Sequence, residues 1–291
     1  MKVPKIEFTP KAHKNIGIEI VKLSEIYKLF DNNSAHFIAK PHRINFHSLL
    51  YVTTGHGTHF IDFNTYTISA GSVVFINKNQ THAFDLKNRP QGKLIIFTDH
   101  FLDSILTTIK TPIFAPTHLL VSFIPSFSLT NASRDTCDVL LTEIDKEYDQ
   151  GEPNLVLLQL LFSTLLAKLS IVRPNLFDKH LSESRASTFM RFISLLEHNY
   201  KTIRDAKVYA ERLNMTYKSL NQICKLATNQ TIKQLIDAQV ILEAKRKISI
   251  EDIRIQQLAY ELGFDETTNF VKYFKKNTLL TPSQFKKSMK G

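Results

Sequence analysis

Cysteine is scarce in this 291-residue sequence, and tryptophan is missing from it altogether. The two cysteines, Cys137 and Cys224, cannot build a disulfide framework, and no CxxC pair exists for zinc binding or redox chemistry. The sequence also contains no GxSxG, HExxH, P-loop or dinucleotide-binding motif. These absences argue against a disulfide-stapled secreted fold and leave no motif that supports catalysis.

Long hydrophobic runs are missing too. The N-terminus, MKVPKIEFTPKAHKN, is basic but lacks the apolar core that a signal peptide needs. Residues 155–172 are apolar with polar interruptions such as Gln159 and Lys168, whereas a membrane span needs roughly 20 nearly unbroken apolar residues. We therefore expect a buried or dimer-forming helix here, and a cytoplasmic protein with no membrane partner.

Positive charge is concentrated in the C-terminal third of the chain. The whole sequence carries 37 Lys plus Arg against 27 Asp plus Glu, a net charge of +10. Residues 187–291 hold 18 of these cations and 10 of the anions, so this third supplies +8 of the excess. The asymmetry points to a polyanionic partner for the C-terminal part.

With 43% apolar residues the chain is too apolar to be disordered, and its length predicts two folded units.

The first half of the chain predicts β structure followed by helices. Short β-branched and aromatic runs separated by Gly and Asn turns are typical of an antiparallel sandwich or barrel, and they lie at 45–53, 58–63, 72–76 and 93–97. From Arg134 the apolar period changes to three or four residues, which predicts helices up to Tyr148 and over 155–171. Their apolar stripes must be buried on the barrel or on a second subunit. Residues 173–187 are polar enough to be a linker.

The rest of the chain predicts helices, the first of them capped by Ser187. A short helix, a turn and a second helix occur twice, at about 208–228 and 255–277. One longer helix, at about 232–248, joins the two copies. Ala210 and Ala259 lie where two helices must cross closely. Asn214 and Gly263, 49 residues apart, lie in turns that need a left-handed backbone. Two copies of this pattern indicate helix-turn-helix units far more specifically than one copy does.

Four runs in this region resemble the AraC/XylS family of bacterial transcription regulators. They are IQQLAYELGF at 255–264, NFVKYFKK at 269–276, LTPSQF at 280–285 and LEAKR at 242–246. The sequence departs from the family pattern at Cys224, where an aromatic residue is usual, and at Asn229 and Leu279, where glycine is usual. The resemblance covers roughly residues 187–290 and implies promoter binding by both units in successive major grooves, about 10 bp apart.

The N-terminal half of the second helix of such a unit enters the major groove. Outward positions there are expected to read bases, and they are Lys218, Asn221, Gln222, Thr267, Thr268, Asn269 and Lys272. A second set of lysines is expected to contact phosphates, and it comprises Lys225, Lys275, Lys276, Lys286 and Lys287.

Motifs in the first half resemble the cupin-like sensing domain that precedes the DNA-binding part in many members of that family. They are PHRINFH at 41–47, GHG at 55–57, AGS at 70–72 and NQTH at 79–82. His42 and His82 match the outer two ligands of metal-binding cupins, but Ile44 and Ser48 occupy the middle positions. Two imidazoles make a poor site by ligand count, so we expect neither a metal nor another cofactor.

A small organic effector is the better expectation for this domain. Alternation along a strand over 42–52 places the even-numbered residues on one face, including His42, Phe46 and Ser48. An apolar barrel with a few polar side chains suits a small ligand. The expected contacts are His42, Ser48 and His82 as polar anchors, Phe46 in the apolar lining and Arg43 near the mouth.

The sequence thus predicts an α+β multidomain protein, an effector-responsive activator rather than an enzyme. Its expected parts are a cupin-like antiparallel β barrel at 1–132, a helical dimerisation region and linker at 133–186, and an all-α double helix-turn-helix domain at 187–291. The expected partners are double-stranded promoter DNA, a small-molecule effector, a second copy of the chain and RNA polymerase. The alternatives are a metal-dependent cupin enzyme, which draws on the histidines alone, and an interaction protein, which leaves the doubled motif unexplained.

Overall fold

The structure, a computed structural model, describes residues 5–10, 13, 15–32, 36–106, 125–172, 181–250 and 253–289. The described residues up to 172 belong to one compact unit, and those from 181 onward belong to a second. Each unit has its own hydrophobic core.

Two five-stranded sheets form the first unit, counted over the described residues. The strands are β1 (Lys5–Ile6), β2 (Ile18–Lys22), β3 (His42–Ile44), β4 (His47–Thr54), β5 (His56–Ile61), β6 (Asn64–Ser69), β7 (Ser72–Ile76), β8 (Thr81–Phe84), β9 (Gln91–Phe97) and β10 (Ser126–Ser128). One sheet has the order β1-β3-β8-β5-β6 and the other β10-β7-β4-β9-β2. The pairs are antiparallel, as the sequence predicted, except for the parallel pair β1–β3.

The second sheet is buried on both faces, and strand β4 shows how the sequence achieves this. Leu50 and Val52 belong to an apolar cluster that also draws residues from the strands of the first sheet. The alternate residues Leu49 and Tyr51 belong to a different cluster, which includes the helices that cover this sheet. Because successive side chains of a strand point to opposite faces, β4 serves two cores at once.

The prediction of one continuous strand through residues 42–52 is wrong. The chain breaks at Asn45 and Phe46, and β3 and β4 belong to different sheets. Asn45 is engaged by the N-terminal segment: its backbone N–H donates to the carbonyl of Ile6 (3.1 Å), and its side-chain Oδ1 accepts from the N–H of Phe8 (2.9 Å). These bonds hold the crossing from one sheet to the other.

Four α-helices are described in the first unit: α1 (Leu23–Asp31), α2 (Asp99–Leu106), α3 (Asn131–Tyr148) and α4 (Leu155–Val172). A short 3-10 helix covers His36–Ala39. Helix α4 is, within the described residues, the one helix long and apolar enough to cross a membrane. Its Leu158, Phe162 and Leu166 are buried in the same cluster as Phe97 of β9, so one of its faces is part of the domain core.

The second unit is built from seven described helices: α5 (Glu183–Asn199), α6 (Ala206–Arg212), α7 (Tyr217–Thr228), α8 (Ile232–Ile250), α9 (Ile255–Glu261), α10 (Thr267–Thr278) and α11 (Pro282–Ser288). Helices α6–α7 and α9–α10 are the two helix-turn-helix units. The predicted cap at Ser187 is wrong, because α5 begins four residues earlier, where the N–H of Ala186 already donates to the carbonyl of Ser182 (2.9 Å).

The two turns have the same geometry. Asn214 has φ +55° and Gly263 has φ +77°, which confirms the left-handed backbone predicted for both. The alanine before each turn accepts a hydrogen bond from the backbone beyond it, from Met215 to Ala210 and from Phe264 to Ala259, both at 2.9 Å. Both alanines are buried, so the small side chain lets the helices cross closely.

The second helix of each unit also ends in the same way. Asn229 (φ +58°) and Leu279 (φ +64°) are left-handed C-caps, and their N–H groups donate to Lys225 and Lys275 at 2.8 Å. These are the two positions where the sequence departs from glycine. For Leu279 the conformation costs about 1–2 kcal/mol. The cap geometry is kept even so, and with it the hydrogen bond from the N–H of Leu279 to the carbonyl of Lys275.

Candidate nucleic-acid interface and interior histidine site

Helices α7 and α10 carry positive charge and no negative charge. Helix α7 contains Lys218 and Lys225, helix α10 contains Lys272, Lys275 and Lys276, and neither contains an Asp or Glu. Their opposite faces are buried in the core, through Leu220, Ile223, Phe270 and Phe274. Each helix therefore presents a cationic face to solvent, which suits a polyanion.

Most of the predicted base-reading residues lie on these exposed faces. Lys218, Gln222, Thr268, Asn269 and Lys272 are exposed, and Thr267 is half-buried. Amide side chains of this kind can bond adenine through two atoms, and a lysine can reach guanine.

Asn221 is placed differently from the others. It is half-buried, and its Oδ1 accepts a hydrogen bond from the backbone N–H of Ile232 (3.1 Å), the first residue of α8. The first N–H groups of a helix need acceptors from outside the helix. The structure thus gives Asn221 a local role at the start of α8 and does not bring it together with the exposed residues.

The predicted phosphate contacts are mostly solvent-accessible. Lys225, Lys275, Lys276 and Lys287 are exposed. Lys286 is half-buried, with its Nζ 3.4 Å from the carbonyl oxygen of Ile253. Freely accessible ammonium groups can follow a phosphate backbone without reading sequence.

In the first unit the structure brings three imidazoles together on neighbouring strands. His42 and His82 are cross-strand partners in β3 and β8, and their ring centroids are 4.3 Å apart. His59 of β5 lies on the other side, with its Nε2 3.2 Å from Nδ1 of His82. All three are buried, and we call them the interior histidines.

Burial keeps the rings of His59 and His82 neutral. It lowers the pKa of His59 to about 3, with His42 contributing, and it lowers the pKa of His82 well below its ordinary value, with His42 and His59 contributing. His42 Nδ1 lies 2.9 Å from the carbonyl oxygen of Lys40, which fixes its ring. Among the described residues, Nε2 of His82 has no hydrogen-bond partner. The group therefore retains a buried polar atom that can bond a ligand.

The structure places the other predicted effector contacts, Phe46, Ser48 and Arg43, in three different settings. Phe46 is buried in the apolar cluster between the sheets. Ser48 is buried too, and its hydroxyl has no partner among the described residues. Arg43 points away from the face that His42 occupies, since it is the next residue on β3, and its Nε donates to the carbonyl of Asn79 (3.0 Å).

His59 is a member of the group that the sequence patterns missed. The signal was present in β5, where His59 and Ile61 alternate with Thr58 and Phe60, and the buried pair shares one face. Across the described residues, no group of three or more His, Cys, Asp or Glu side chains is arranged to hold a metal ion. The contact between His59 and His82 is a hydrogen bond between neutral rings.

Comparison with known proteins assigns both halves of the chain. Residues 209–288 match a family model described as a helix-turn-helix domain, and residues 25–111 match one described as an AraC-like ligand binding domain. The HTH-type transcriptional activator RhaS of Yersinia pestis is 22% identical over 260 residues, 85% of this chain and 89% of RhaS. RhaS of Escherichia coli strain SE11 is 18% identical over 251 residues, 86% of this chain and 88% of that protein.

Solved structures were compared as well. Unsaturated fatty acid-bound ToxT from Vibrio cholerae is 17% identical, with 84% of this chain and 87% of that chain covered at a TM-score of 0.44. The C-terminal domain of AraT, a response regulator from Geobacillus stearothermophilus, is 18% identical and covers 38% of this chain and 88% of its own, at a TM-score of 0.33.

The buried neutral histidines make the first unit sensitive to acid. Because the pKa of His59 is about 3 in the folded chain and about 6.5 when unfolded, the unfolded chain binds more protons between these values. Stability present above about pH 6.5 is lost as the pH falls through this window, by up to about 1.4 kcal/mol per pH unit for each such histidine. Replacing His59 with Phe should reduce the slope of the free energy of unfolding against pH.

The measurement is amide hydrogen exchange in β5 and β8 between pH 7 and pH 4.5, corrected for the intrinsic rate. The exposed His56 supplies the control, since His56→Asn should leave the slope as it is in the unaltered chain. An equal slope in the unaltered chain and in His59→Phe would show that the interior histidines do not set the acid sensitivity.

Proposed function

Because the chain belongs to the AraC/XylS family of bacterial transcription regulators, we propose that it is a cytoplasmic, effector-responsive activator that holds promoter DNA through α7 and α10. The observation that carries this proposal is the pair of helix-turn-helix units with matching turns, whose second helices carry lysines and no carboxylates. The effector binds between the sheets of the first unit in this proposal, and the chain is not an enzyme.

The DNA contacts fall into two classes in this proposal. Gln222 and Asn269 read bases from the exposed faces of α7 and α10, while Lys225 and Lys276 neutralise phosphates. The two helices occupy successive major grooves about 10 bp apart. Charge then supplies affinity for any DNA, and the neutral side chains supply the preference for one sequence.

Two substitutions in α10 should separate these classes. Asn269→Ala should relax the preference at one base pair and cost about 1–3 kcal/mol on the preferred site if the contact is bidentate. Lys276→Ala should weaken binding to all sequences alike and reduce the slope of log affinity against log salt by about 1. The measurement is fluorescence anisotropy on a promoter fragment and its single-base variants over a salt series.

Asn277, an exposed asparagine near the end of the same helix, supplies the matched control, because Asn277→Ala should leave base preference unchanged. Unaltered base preference in Asn269→Ala would show that α10 does not enter the groove as proposed. An affinity independent of salt on every promoter fragment would contradict DNA binding itself, since phosphate contacts release counterions.

The effector site is proposed at the interior histidines. Two buried polar atoms on inward faces, Nε2 of His82 and the hydroxyl of Ser48, have no partner among the described residues, and a buried polar atom without a partner is costly. A ligand with hydroxyl or carboxyl oxygens can supply the missing bonds, while Phe46 and its apolar neighbours bury the rest of the molecule. The ligand acts by having a higher affinity for one arrangement of the regulator than for another, which shifts the population toward the first.

A screen of the full chain against monosaccharides and carboxylic acids tests this site. A ligand at 100 times its Kd stabilises the folded chain by about 2.7 kcal/mol and so raises its thermal midpoint. The shift should disappear in His82→Leu and persist in His56→Asn. The same compound should raise transcription by purified RNA polymerase, the partner proposed for the DNA-bound activator.

A compound that shifts the midpoint of His82→Leu as much as that of the unaltered chain would exclude the interior histidines as its site. Elemental analysis of the purified protein tests the competing function. A stoichiometric metal that is lost on replacing His42 and His82 would support the metal-dependent cupin enzyme in place of the regulator.

We also propose that the chain forms a homodimer through α3 and α4. Helix α4 buries one face, but Val156, Leu160 and Ile171 remain 63%, 52% and 81% exposed, and Val139 of α3 is 62% exposed. Exposed apolar residues grouped at helical spacing are typical of protein interfaces. A second copy supplies a matching apolar face.

A charge in the centre of this face should separate the subunits. Leu160→Asp should shift sedimentation at micromolar concentration from dimer to monomer, because an unpaired carboxylate is costly to bury. Ser194→Asp places the same charge on an exposed position of α5 and should leave the dimer intact. Equal sedimentation of Leu160→Asp and the unaltered chain would place the subunit contact elsewhere.

A further inference from the structure

The second helix-turn-helix unit, α9–α10, contacts the segment that leads into the first one, in addition to being joined to it by α8. The contact is made by residues 201–205, which connect α5 to α6 and so lead into the first helix-turn-helix unit. A side-chain carbon built on Gly263, in the turn of the second unit, would lie 1.8 Å from the carbonyl oxygen of Lys201. The two backbones are therefore in contact, and only glycine leaves room for it.

Arg204 strengthens this contact. Its guanidinium carbon lies 3.7 Å from the centre of the Phe264 ring and 5.5 Å from that of Tyr273, both in the second unit. Its Nη2 donates to the carbonyl oxygen of Leu262, the residue before Gly263. A planar guanidinium stacked on aromatic rings is held by its charge and by its shape, and lysine does not reproduce this geometry.

The same array extends to α8. The hydroxyl of Tyr273 donates to Oδ1 of Asp237 (2.6 Å), and Nζ of Lys233 donates to the same atom (2.7 Å). We call Arg204, Asp237, Phe264 and Tyr273 the Arg204 cluster. It joins three parts of the domain: residues 201–205, helix α8, and the second helix-turn-helix unit.

Residues 201–205 are also held by contacts with the first helix-turn-helix unit, α6–α7. The hydroxyl of Tyr209, in α6, donates to the carbonyl oxygen of Ile203 (3.0 Å). Nη1 of Arg212, at the end of α6, donates to Oδ1 of Asn199 at the end of α5 (3.0 Å). A continuous set of contacts thus runs from the first helix-turn-helix unit, through residues 201–205, to the second helix-turn-helix unit.

We propose that the Arg204 cluster fixes the angle and separation of α7 and α10, so that the chain reads two half-sites at one spacing only. Arg204 is a positioning residue here, since it acts through Phe264, Tyr273 and the turn at Gly263 rather than on DNA. This inference rests on the proposed function of α7 and α10. Two linked binding modules gain affinity only when their geometry lets both engage, so a fixed geometry converts half-site spacing into specificity.

The test uses duplexes that the unaltered chain selects from a random library, which define the full site. From this site we derive a single half-site and a series with one or two base pairs inserted or removed between the half-sites. The unaltered chain should lose most of its full-site advantage when the spacing changes. Arg204→Gln and Tyr273→Phe should keep half-site affinity within about twofold, lose about tenfold on the full site, and bind the altered spacings more evenly.

Tyr260→Phe, on the exposed face of α9, is the matched control and should keep the spacing profile of the unaltered chain. Tyr273→Phe retains the ring and loses only the bond to Asp237, so it answers the question even where Arg204→Gln fails to fold. Equal losses on half-site and full-site duplexes, or an unchanged spacing profile in Tyr273→Phe, would overturn the positioning role. Failure of the unaltered chain to select any duplex would instead overturn the proposed function.

Discussion

The tight left-handed turn between paired helices is the constraint on which the second unit depends. Each turn reverses the chain at one residue of positive φ, Asn214 or Gly263, and closes on the carbonyl of a buried alanine. A larger side chain at Ala210 or Ala259 would separate the crossing helices. Once the turn is closed, Leu220 and Phe270 are committed to the core, and the lysine-bearing faces of α7 and α10 have to remain in solvent.

A different constraint governs the first unit, where one sheet is buried on both sides. Strands β4, β7 and β9 supply apolar side chains to the cluster between the sheets and to the cluster under α2–α4. In such surroundings a polar side chain has to be neutral or paired, because a buried charge is costly. Two of the interior histidines, His59 and His82, meet this condition by remaining neutral. A ligand is therefore proposed to supply the missing hydrogen bond at Nε2 of His82.

The features predicted from sequence are those encoded locally. The turns at Asn214 and Gly263 each depend on a few adjacent residues, and the structure confirms them. The resemblance to a known family identified the fold class and the function. The crossing at Asn45 depends on a bond to Phe8, which is distant in the sequence, and no local pattern indicates it.

The interior histidines and the Arg204 cluster have the same origin in long-range pairing. His59 and His82 meet because β5 and β8 are neighbours in the sheet, although β6 and β7 lie between them along the chain. Arg204 contacts Leu262 and Phe264, although the four helices α6 to α9 lie between them along the chain. Asn221 shows the converse: the sequence placed it correctly on α7 but could not show that α8 would use its oxygen as a cap.

Rigidity within the second unit has a consequence for how an effector could act. If residues 201–205 and the Arg204 cluster keep α7 and α10 in one relation, the effector cannot change DNA affinity by moving one reading helix against the other. A ligand shifts an equilibrium only by binding two arrangements unequally. The arrangements that differ must then lie outside the relation of α7 to α10, and the proposed pairing of subunits through α4 is such a difference. The exposed apolar face of α4 and the proposed effector site belong to the same unit, so in the proposed regulator a ligand there can bias subunit pairing without any change inside the second unit.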